Sequence, residues 1–172
     1  MAVRRVRPRG FQSNLAQPRW TLRKASTSDL KVLVEHRHRM WVELWKPSPR
    51  QMAMHDRSYR RWLLPRLRSG ELVALVIEGP AHRVLASGGI WFRPDQPRPG
   101  LTQLTVPYLL SMYTEPEHRG RGFAGRIVHE AVRLCRQRGF LRVLLHAAPL
   151  GRRVYREAGF KRTWEMRLDL PH

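Results

Sequence analysis

The stretch from Met112 to Glu130 constrains the fold of this chain more than any other segment. It starts with apolar residues of strand character and reaches Pro116, which ends a strand and disfavours helix at the residue before it. Gly120 and Gly122 follow, and glycine adopts backbone conformations that other residues avoid. From Phe123 onward, apolar residues recur at helical spacing. The pattern therefore predicts a strand, a Gly-rich turn and an amphipathic helix in immediate succession.

A turn of this kind directs several free backbone N–H groups at one point, ahead of a helix N-terminus with partial positive charge. Arg119 and Arg121 add two guanidinium groups beside it. A short Gly pattern alone is also typical of an ordinary turn whose arginines point into water. The combination of strand, proline, two arginines and long helix favours an anion site, and pyrophosphate is the anion that matches it.

Two blocks of sequence resemble a known family. The hexapeptide from Arg119 to Ala124, Arg-Gly-Arg-Gly-Phe-Ala, resembles the Arg/Gln-x-x-Gly-x-Gly/Ala signature of the GNAT acyl-CoA N-acyltransferases. One predicted strand later, the hexapeptide from Tyr155 to Phe160, Tyr-Arg-Glu-Ala-Gly-Phe, resembles a second block of that family. The resemblance is specific because both blocks have the expected order and spacing, and it covers roughly residues 19–170.

The rest of the chain predicts a single α/β domain over residues 19–172, preceded by a basic tail at 1–18 that we expect to be mobile. The order of elements, β-α-α-β-β-β-α-β-α-β, predicts a mixed, mostly antiparallel sheet with helices on both faces. This is also the order of the GNAT fold. Pro65 is expected to kink the second helix or end it early. The predicted strands are 20–25, 71–78, 84–93, 104–114, 142–147 and 160–170, and the predicted helices are 29–44, 51–68, 123–138 and a short one that ends at 158.

Composition and charge narrow the function classes. The single cysteine, Cys135, excludes an internal disulfide framework and a multi-cysteine metal site. His36 and His38 lie two residues apart on a predicted helix and face different directions, so we predict no metal site and expect both to be solvated or to face a substrate. No apolar run is long enough to span a bilayer, and no signal core follows the basic N-terminus, so we expect a cytoplasmic protein without membrane association.

The net charge of +20 raises nucleic acid as a possible partner. Nearly all basic residues are arginines, and they are scattered along the chain instead of forming one block. The chain also lacks the aromatic and basic alternation of RNA-binding sheets. A nucleic-acid- or ribosome-associated binding protein on this scaffold is therefore an alternative that we do not favour. A CoA-binding sensor without turnover is a third reading.

The resemblance implies that acetyl-CoA is the co-substrate and places its binding residues. The pantetheine arm is expected to pair with the backbone of Met112 and Thr114, with Tyr113 between them, where strands 104–114 and 142–147 run in parallel and splay apart. Tyr155 is the implied general acid for the departing thiolate, although without the family it reads as a core residue. The asparagine that many members carry ahead of this block is absent. The pyrophosphate is expected to bind along the loop formed by Arg119, Gly120, Arg121, Gly122, Phe123, Ala124 and Gly125.

The general base is less determined by the sequence. Glu115 follows the pantetheine strand and could act directly or through water, but a carboxylate near Arg119 is equally a structural ion pair. Other candidates are Glu35, His36, Glu43 and Glu71, or water alone. The sequence thus predicts a monomeric or homodimeric N-acetyltransferase that transfers an acetyl group to a primary amine of a small molecule or peptide by direct attack in a ternary complex.

Overall fold

The computed structural model describes residues 20–97, 99–100 and 103–170, and the predicted basic tail at 1–18 lies outside them. Within these residues no helix is long and apolar enough to cross a membrane. The same residues contain no group of three or more His, Cys, Asp or Glu that could hold a metal ion. The elements are β1 (Thr21–Lys24), α1 (Leu30–Trp45), α2 (Pro49–Ser69), β2 (Leu72–Glu78), β3 (Val84–Pro94), β4 (Thr105–Thr114), α3 (Phe123–Gln137), β5 (Leu144–Leu145) and α4 (Arg152–Glu157).

The strands form one sheet in the order β1-β2-β3-β4-β5. The first three pairings are antiparallel, and β4 pairs with β5 in parallel. The predicted mixed, mostly antiparallel sheet is therefore confirmed. β4 and β5 pair only at Tyr108 with Leu144 and at Leu109 with Leu145, while β4 continues to Thr114. The expected separation of these two strands towards their C-terminal ends is also confirmed.

Helices cover both faces of the sheet, because β2 is apolar on both sides. Leu75 and Ile77 point to the face that α3 covers, where they join Ile127 in a buried cluster. Ala74 and Val76 point to the opposite face, which α1 and α2 cover. Successive side chains of a strand point to opposite faces, so a continuous apolar run is what a two-sided core requires.

Cys135 belongs to the α3 side of the core. Its side chain is fully buried, and burial raises the pKa of its thiol to about 11. A thiol that stays protonated at neutral pH is a poor nucleophile, so Cys135 has a structural role in the core.

Two predicted elements differ from the structure. Pro65 was predicted to kink the second helix or to end it early, and the early end is wrong, because α2 continues to Ser69. Two interactions around the proline support this continuation. Leu63 is buried in the core, and the Arg66 guanidinium donates a hydrogen bond of 2.9 Å to the carbonyl of Trp62.

The predicted last strand at 160–170 is also wrong, since these residues have no regular secondary structure and all but Phe160 are exposed. A strand needs a partner, and the predicted neighbour at 142–147 is regular only over the two residues of β5.

Candidate active site

The site is built around a bulge in β4. Ser87 pairs with Tyr113 and Gly89 pairs with Leu110, so Ser111 and Met112 together stand opposite the single residue Gly88. Ser111 takes a left-handed conformation with φ 54°, which is unusual for a residue with a side chain. Such a bulge bends the strand and re-aims its side chains.

Gly88 makes the bulge possible. A Cβ atom at this position would overlap Met112 Sδ and lie 2.9 Å from Ile127 Cγ2. β3 and β4 therefore approach closely at Gly88, and the extra residue of the bulge is located in β4.

Beyond the bulge, one side of the β4 backbone has no strand partner. The Glu115 N–H donates to the Leu85 carbonyl at 2.9 Å, so Glu115 faces β3. Hydrogen-bonding direction alternates along a strand, which turns Tyr113 to β3 as well and turns Met112 and Thr114 towards the opening beside β5. These two residues form a short wall whose main-chain groups are not used by β5. The Thr114 carbonyl accepts from Arg119 Nε at 3.0 Å.

The Gly-rich turn forms an open cradle at the start of α3. Gly120 and Gly122 have φ values of 74° and 76°, which favour glycine. Gly122 is the N-cap and supplies no side-chain cap, and the first helical hydrogen bond is donated by Arg126 N–H to its carbonyl at 3.1 Å. The N–H groups before Arg126 are consequently free of helical partners. A Cβ atom on Gly120, Gly122 or Gly125 would meet nothing within 4 Å, so the cradle has room for an anion.

The two arginines of the turn have different surroundings. Arg119 forms an ion pair with Glu43 at 2.7 Å, and its N–H donates to the Pro116 carbonyl at 3.2 Å. Its polar groups are thus engaged within the protein. Arg121 is exposed and has no ion-pair partner among the described residues. Of the two guanidinium groups, that of Arg121 is the one available to a phosphate.

Glu115 lies in a buried ionic group, not beside Arg119 as expected. Only 6% of its surface is exposed, and its carboxylate pairs with Arg39 of α1. His36 Nε2 lies 3.3 Å from the same carboxylate, although the ring is not aligned for a hydrogen bond. The predicted ion pair between Glu115 and Arg119 is therefore wrong. α1 crosses β4 so that its Arg39 pairs with Glu115 and its Glu43 pairs with Arg119.

The environment of His36 differs from the prediction more than that of any other candidate residue. It was expected to be solvated or to face a substrate, yet its side chain is 1% exposed, and its Nδ1 lies 2.8 Å from Ser87 Oγ. Burial lowers the pKa of the imidazole, and the nearby Glu115 only partly opposes this effect, so His36 is neutral at pH 7. The available signal was helical spacing, since His36 follows the buried Leu33 by three residues.

Tyr155 lies on α4, on the same side of the sheet as α3. Its ring and the side chain of Met112 both pack against the cluster that contains Ile127. The ring lies close to Gly151, where an added Cβ would come within 2.9 Å of it, and its edge contacts Phe160 with centroids 6.0 Å apart. Burial raises the pKa of the Tyr155 phenol, so it is protonated at neutral pH. Its hydroxyl makes no hydrogen bond to any described residue.

Comparisons with known proteins agree with this geometry. A model of the acetyltransferase (GNAT) family matches residues 30–160. No curated protein matches the sequence. A GCN5-related N-acetyltransferase from Ralstonia eutropha JMP134 is 29% identical, with a TM-score of 0.80 over 88% of this chain and 98% of that one.

Two further solved structures are similar. A predicted acetyltransferase from Clostridium acetobutylicum, solved with acetyl-CoA, is 28% identical, with a TM-score of 0.78 over 88% of this chain and 96% of that one. The aminoglycoside N-acetyltransferase AAC(6')-Iy, solved with CoA, shares the fold at 17% identity, with a TM-score of 0.62 over 88% of this chain and 94% of that one. Since the family model matches well over half of its length, the chain belongs to the acetyltransferase (GNAT) family and is an acyl-CoA-dependent N-acetyltransferase.

Proposed function

We propose that the enzyme transfers an acetyl group from acetyl-CoA to a primary amine by direct attack within a ternary complex. The observation that carries this proposal is that the open cradle at Gly122 follows the wall at Met112 and Thr114, which has no strand partner. One surface thereby offers N–H groups for a pyrophosphate and, beside them, main-chain groups for an amide-bearing arm. The similar Clostridium protein was solved with acetyl-CoA, which supports this choice of co-substrate.

The cradle binds the pyrophosphate through its backbone. The donors are the N–H groups of Arg121, Gly122, Phe123, Ala124 and Gly125, and the partial positive charge of the α3 N-terminus adds to them. The exposed Arg121 guanidinium supplies a charge-assisted contact. Arg119 and Gly120 shape the loop, because Arg119 ties it to α1 through Glu43.

The wall orients the thioester. Main-chain groups of Met112 and Thr114 pair with the amides of the pantetheine arm as an added strand would, and Tyr113 between them is anchored by its hydroxyl, which donates 3.1 Å to Glu43. The acetyl group then lies near the bulge at Ser111. Holding both reactants in this geometry removes a large entropic barrier to reaction.

The chemical step forms a C–N bond and breaks the C–S bond. The neutral amine attacks the thioester carbonyl carbon, and the tetrahedral intermediate collapses with expulsion of the thiolate. Tyr155 gives its phenolic proton to that sulfur, and the raised pKa of Tyr155 ensures that the proton is present at neutral pH. Solvent later returns a proton to the phenolate. The products are an N-acetylated amine and free CoA thiol.

The amine proton leaves on the α1 side of the sheet. Ser87 Oγ accepts it directly or through water and passes a proton to the neutral His36, which lies 2.8 Å away. Glu115 stands behind His36 at 3.3 Å and stabilises the imidazolium that forms. Glu115 therefore serves as a positioning residue whose charge acts through His36, instead of contacting the amine itself.

A thiol-release assay tests the proposal. Acetyl-CoA is offered with panels of amines, amino acids and peptides, and mass spectrometry identifies the acetylated product. A ternary complex predicts intersecting initial-rate lines, and it predicts no acetylated enzyme after incubation with acetyl-CoA alone. Parallel lines with an acetyl-enzyme of the added mass would contradict direct attack. Tight CoA binding without turnover of any amine would instead favour the sensor reading.

A further inference from the structure

Arg37 is a partly buried guanidinium at the bulge of β4. It stacks on the rings of Trp41 and Tyr59, with centroid distances of 5.3 and 4.7 Å. Its Nη1 donates to Ser111 Oγ at 2.7 Å, and the Tyr59 hydroxyl lies 3.2 Å from the same oxygen. Because Ser111 is the bulge residue next to Met112, these contacts fix the guanidinium beside the proposed position of the acetyl group.

No acidic residue in the described part of the chain pairs with this guanidinium. The carboxylates of α1 and α2 pair with other residues: Glu43 with Arg119 at 2.7 Å, Glu35 with Lys31 at 3.9 Å, and Asp56 with two histidines. Glu115 at the end of β4 pairs with Arg39. Burial without a neighbouring carboxylate lowers the pKa of Arg37 from its usual value.

Two buried donors in this cluster also have no hydrogen-bond partner among the described residues. They are Arg37 Nε and Trp41 Nε1, which belong to side chains stacked on each other. A buried donor without an acceptor is unfavourable in a folded protein, and most native structures avoid it. An anion bound against the guanidinium would supply the missing negative charge and a hydrogen-bond acceptor. The planar fork of a guanidinium matches a carboxylate in this respect.

We infer that the acceptor carries a carboxylate close to its reactive amine, and that Arg37 and Trp41 bind this carboxylate. The inference rests on the proposed function for the location of the acetyl group. Since Arg37 contacts Ser111 itself, only a few bonds can separate the carboxylate from the amine. This describes a free amino acid and not a polyamine, whose positive charges Arg37 would repel.

Matched ligand pairs test the inference. Acetyl transfer is measured for free amino acids and for their carboxamides, which differ only in the carboxylate. We expect kcat/KM to be about ten- to a hundredfold higher for the acids, and Arg37→Gln to abolish most of this preference. Arg60→Gln is the matched control, because Arg60 lies exposed on α2 beside Tyr59 and should leave the preference intact. Arg37→Lys keeps the charge but loses the fork, so it should restore only part of the preference.

Two results would overturn the inference: equal rates for acids and amides, or a preference that survives in Arg37→Gln. If Arg37→Gln does not fold, the inference is still tested by the preference of the wild-type enzyme for acids over amides. It is also tested by Trp41→Phe, which removes one donor but keeps an aromatic ring and should reduce that preference. If no amine is acetylated, the proposed function fails, but the carboxylate site is tested separately by calorimetry. Amino acids should then bind the CoA-loaded protein more tightly than their amides, and no difference in wild-type protein would refute the site.

Discussion

Replacing Gly122 tests the cradle, and its cost to the fold can be worked out from the structure. A side chain at this position would meet no atom within 4 Å, so Gly122→Glu creates no steric overlap. The cost is backbone strain, because φ is 76° and a residue with a Cβ loses roughly 1–2 kcal/mol in this region. For a protein of this size we expect the melting temperature to fall by about 2–8 °C while the fold is kept.

The effect on acetyl-CoA should be larger. The new carboxylate would stand where the pyrophosphate binds, and two like charges about 4 Å apart repel by roughly 1 kcal/mol in water and 4 kcal/mol near a protein surface. Affinity should therefore fall by about five- to a thousandfold. Gly122→Ala adds a methyl group without charge and should reduce affinity less than Gly122→Glu does.

Gly70 provides a matched control. It ends α2 with the same φ of 76°, and a side chain there would also meet nothing within 4 Å. Gly70→Glu should thus lose similar stability and keep its affinity for acetyl-CoA. Calorimetric titration with acetyl-CoA measures the affinity, and thermal denaturation measures the stability. Undiminished affinity in a folded Gly122→Glu variant, or an equal loss in Gly70→Glu, would refute the cradle.

Other predictions follow from single residues. Tyr155→Phe should lower kcat by about ten- to a thousandfold with little change in acetyl-CoA affinity, and an unaltered kcat would return Tyr155 to a packing role. Because the pKa of His36 is lowered from 6.5 in the folded state, its contribution to stability is complete above pH 6.5 and is lost as the pH falls below it. In urea denaturation, the free energy of unfolding should therefore decrease below pH 6.5. His36→Gln should make this decrease smaller. Gly88→Ala should lower the free energy of unfolding by about 1–3 kcal/mol and lower kcat by displacing Met112. Gly89→Ala, whose added Cβ would have its nearest contact at 3.5 Å, should lose less stability. Equal effects of the two variants in urea denaturation and turnover would contradict the role of Gly88.

The strand, turn and helix after Met112 could be predicted because their determinants are local. Pro116 ends the strand whatever surrounds it, and Gly120 and Gly122 take left-handed conformations within their own turn. The apolar stripe of α3 repeats every three or four residues and needs no knowledge of the sheet below it. Elements of this kind are confirmed to within one or two residues.

The ionic group around Glu115 could not be predicted, because its partners come from distant parts of the chain. Arg39 and Glu115 are 76 residues apart, and which arginine meets Glu115 depends on how α1 crosses β4. The sequence offers Arg119 four positions away, and proximity in sequence favoured it. In the fold, Glu43 pairs with Arg119 instead.

The segment at 160–170 illustrates the same limit from the other direction. Trp164, Met166, Leu168 and Leu170 alternate with polar residues, as in a strand with one apolar face, yet all four are exposed. An alternating pattern of apolar and polar residues indicates which side of a strand would be buried, but it does not provide the neighbouring strand that the backbone must pair with. A strand exists only where its backbone groups meet another ladder, and β5 offers two residues.

The bulge explains how one strand can serve two ligands that must meet. Successive residues of a strand point to opposite faces, and Met112 packs towards α3 while Ser111 meets Arg37 and Tyr59 below α1 and α2. The proposed acceptor site therefore lies on the α1 and α2 face at the bulge, and the proposed acetyl-CoA surface runs along the β4 edge beside it, so that the two reactants meet at Ser111. The left-handed Ser111 is unfavourable by itself, so its contacts to both helices must hold it there. Backbone strain at Ser111 fits a residue that must hold two reactants at a fixed distance from each other.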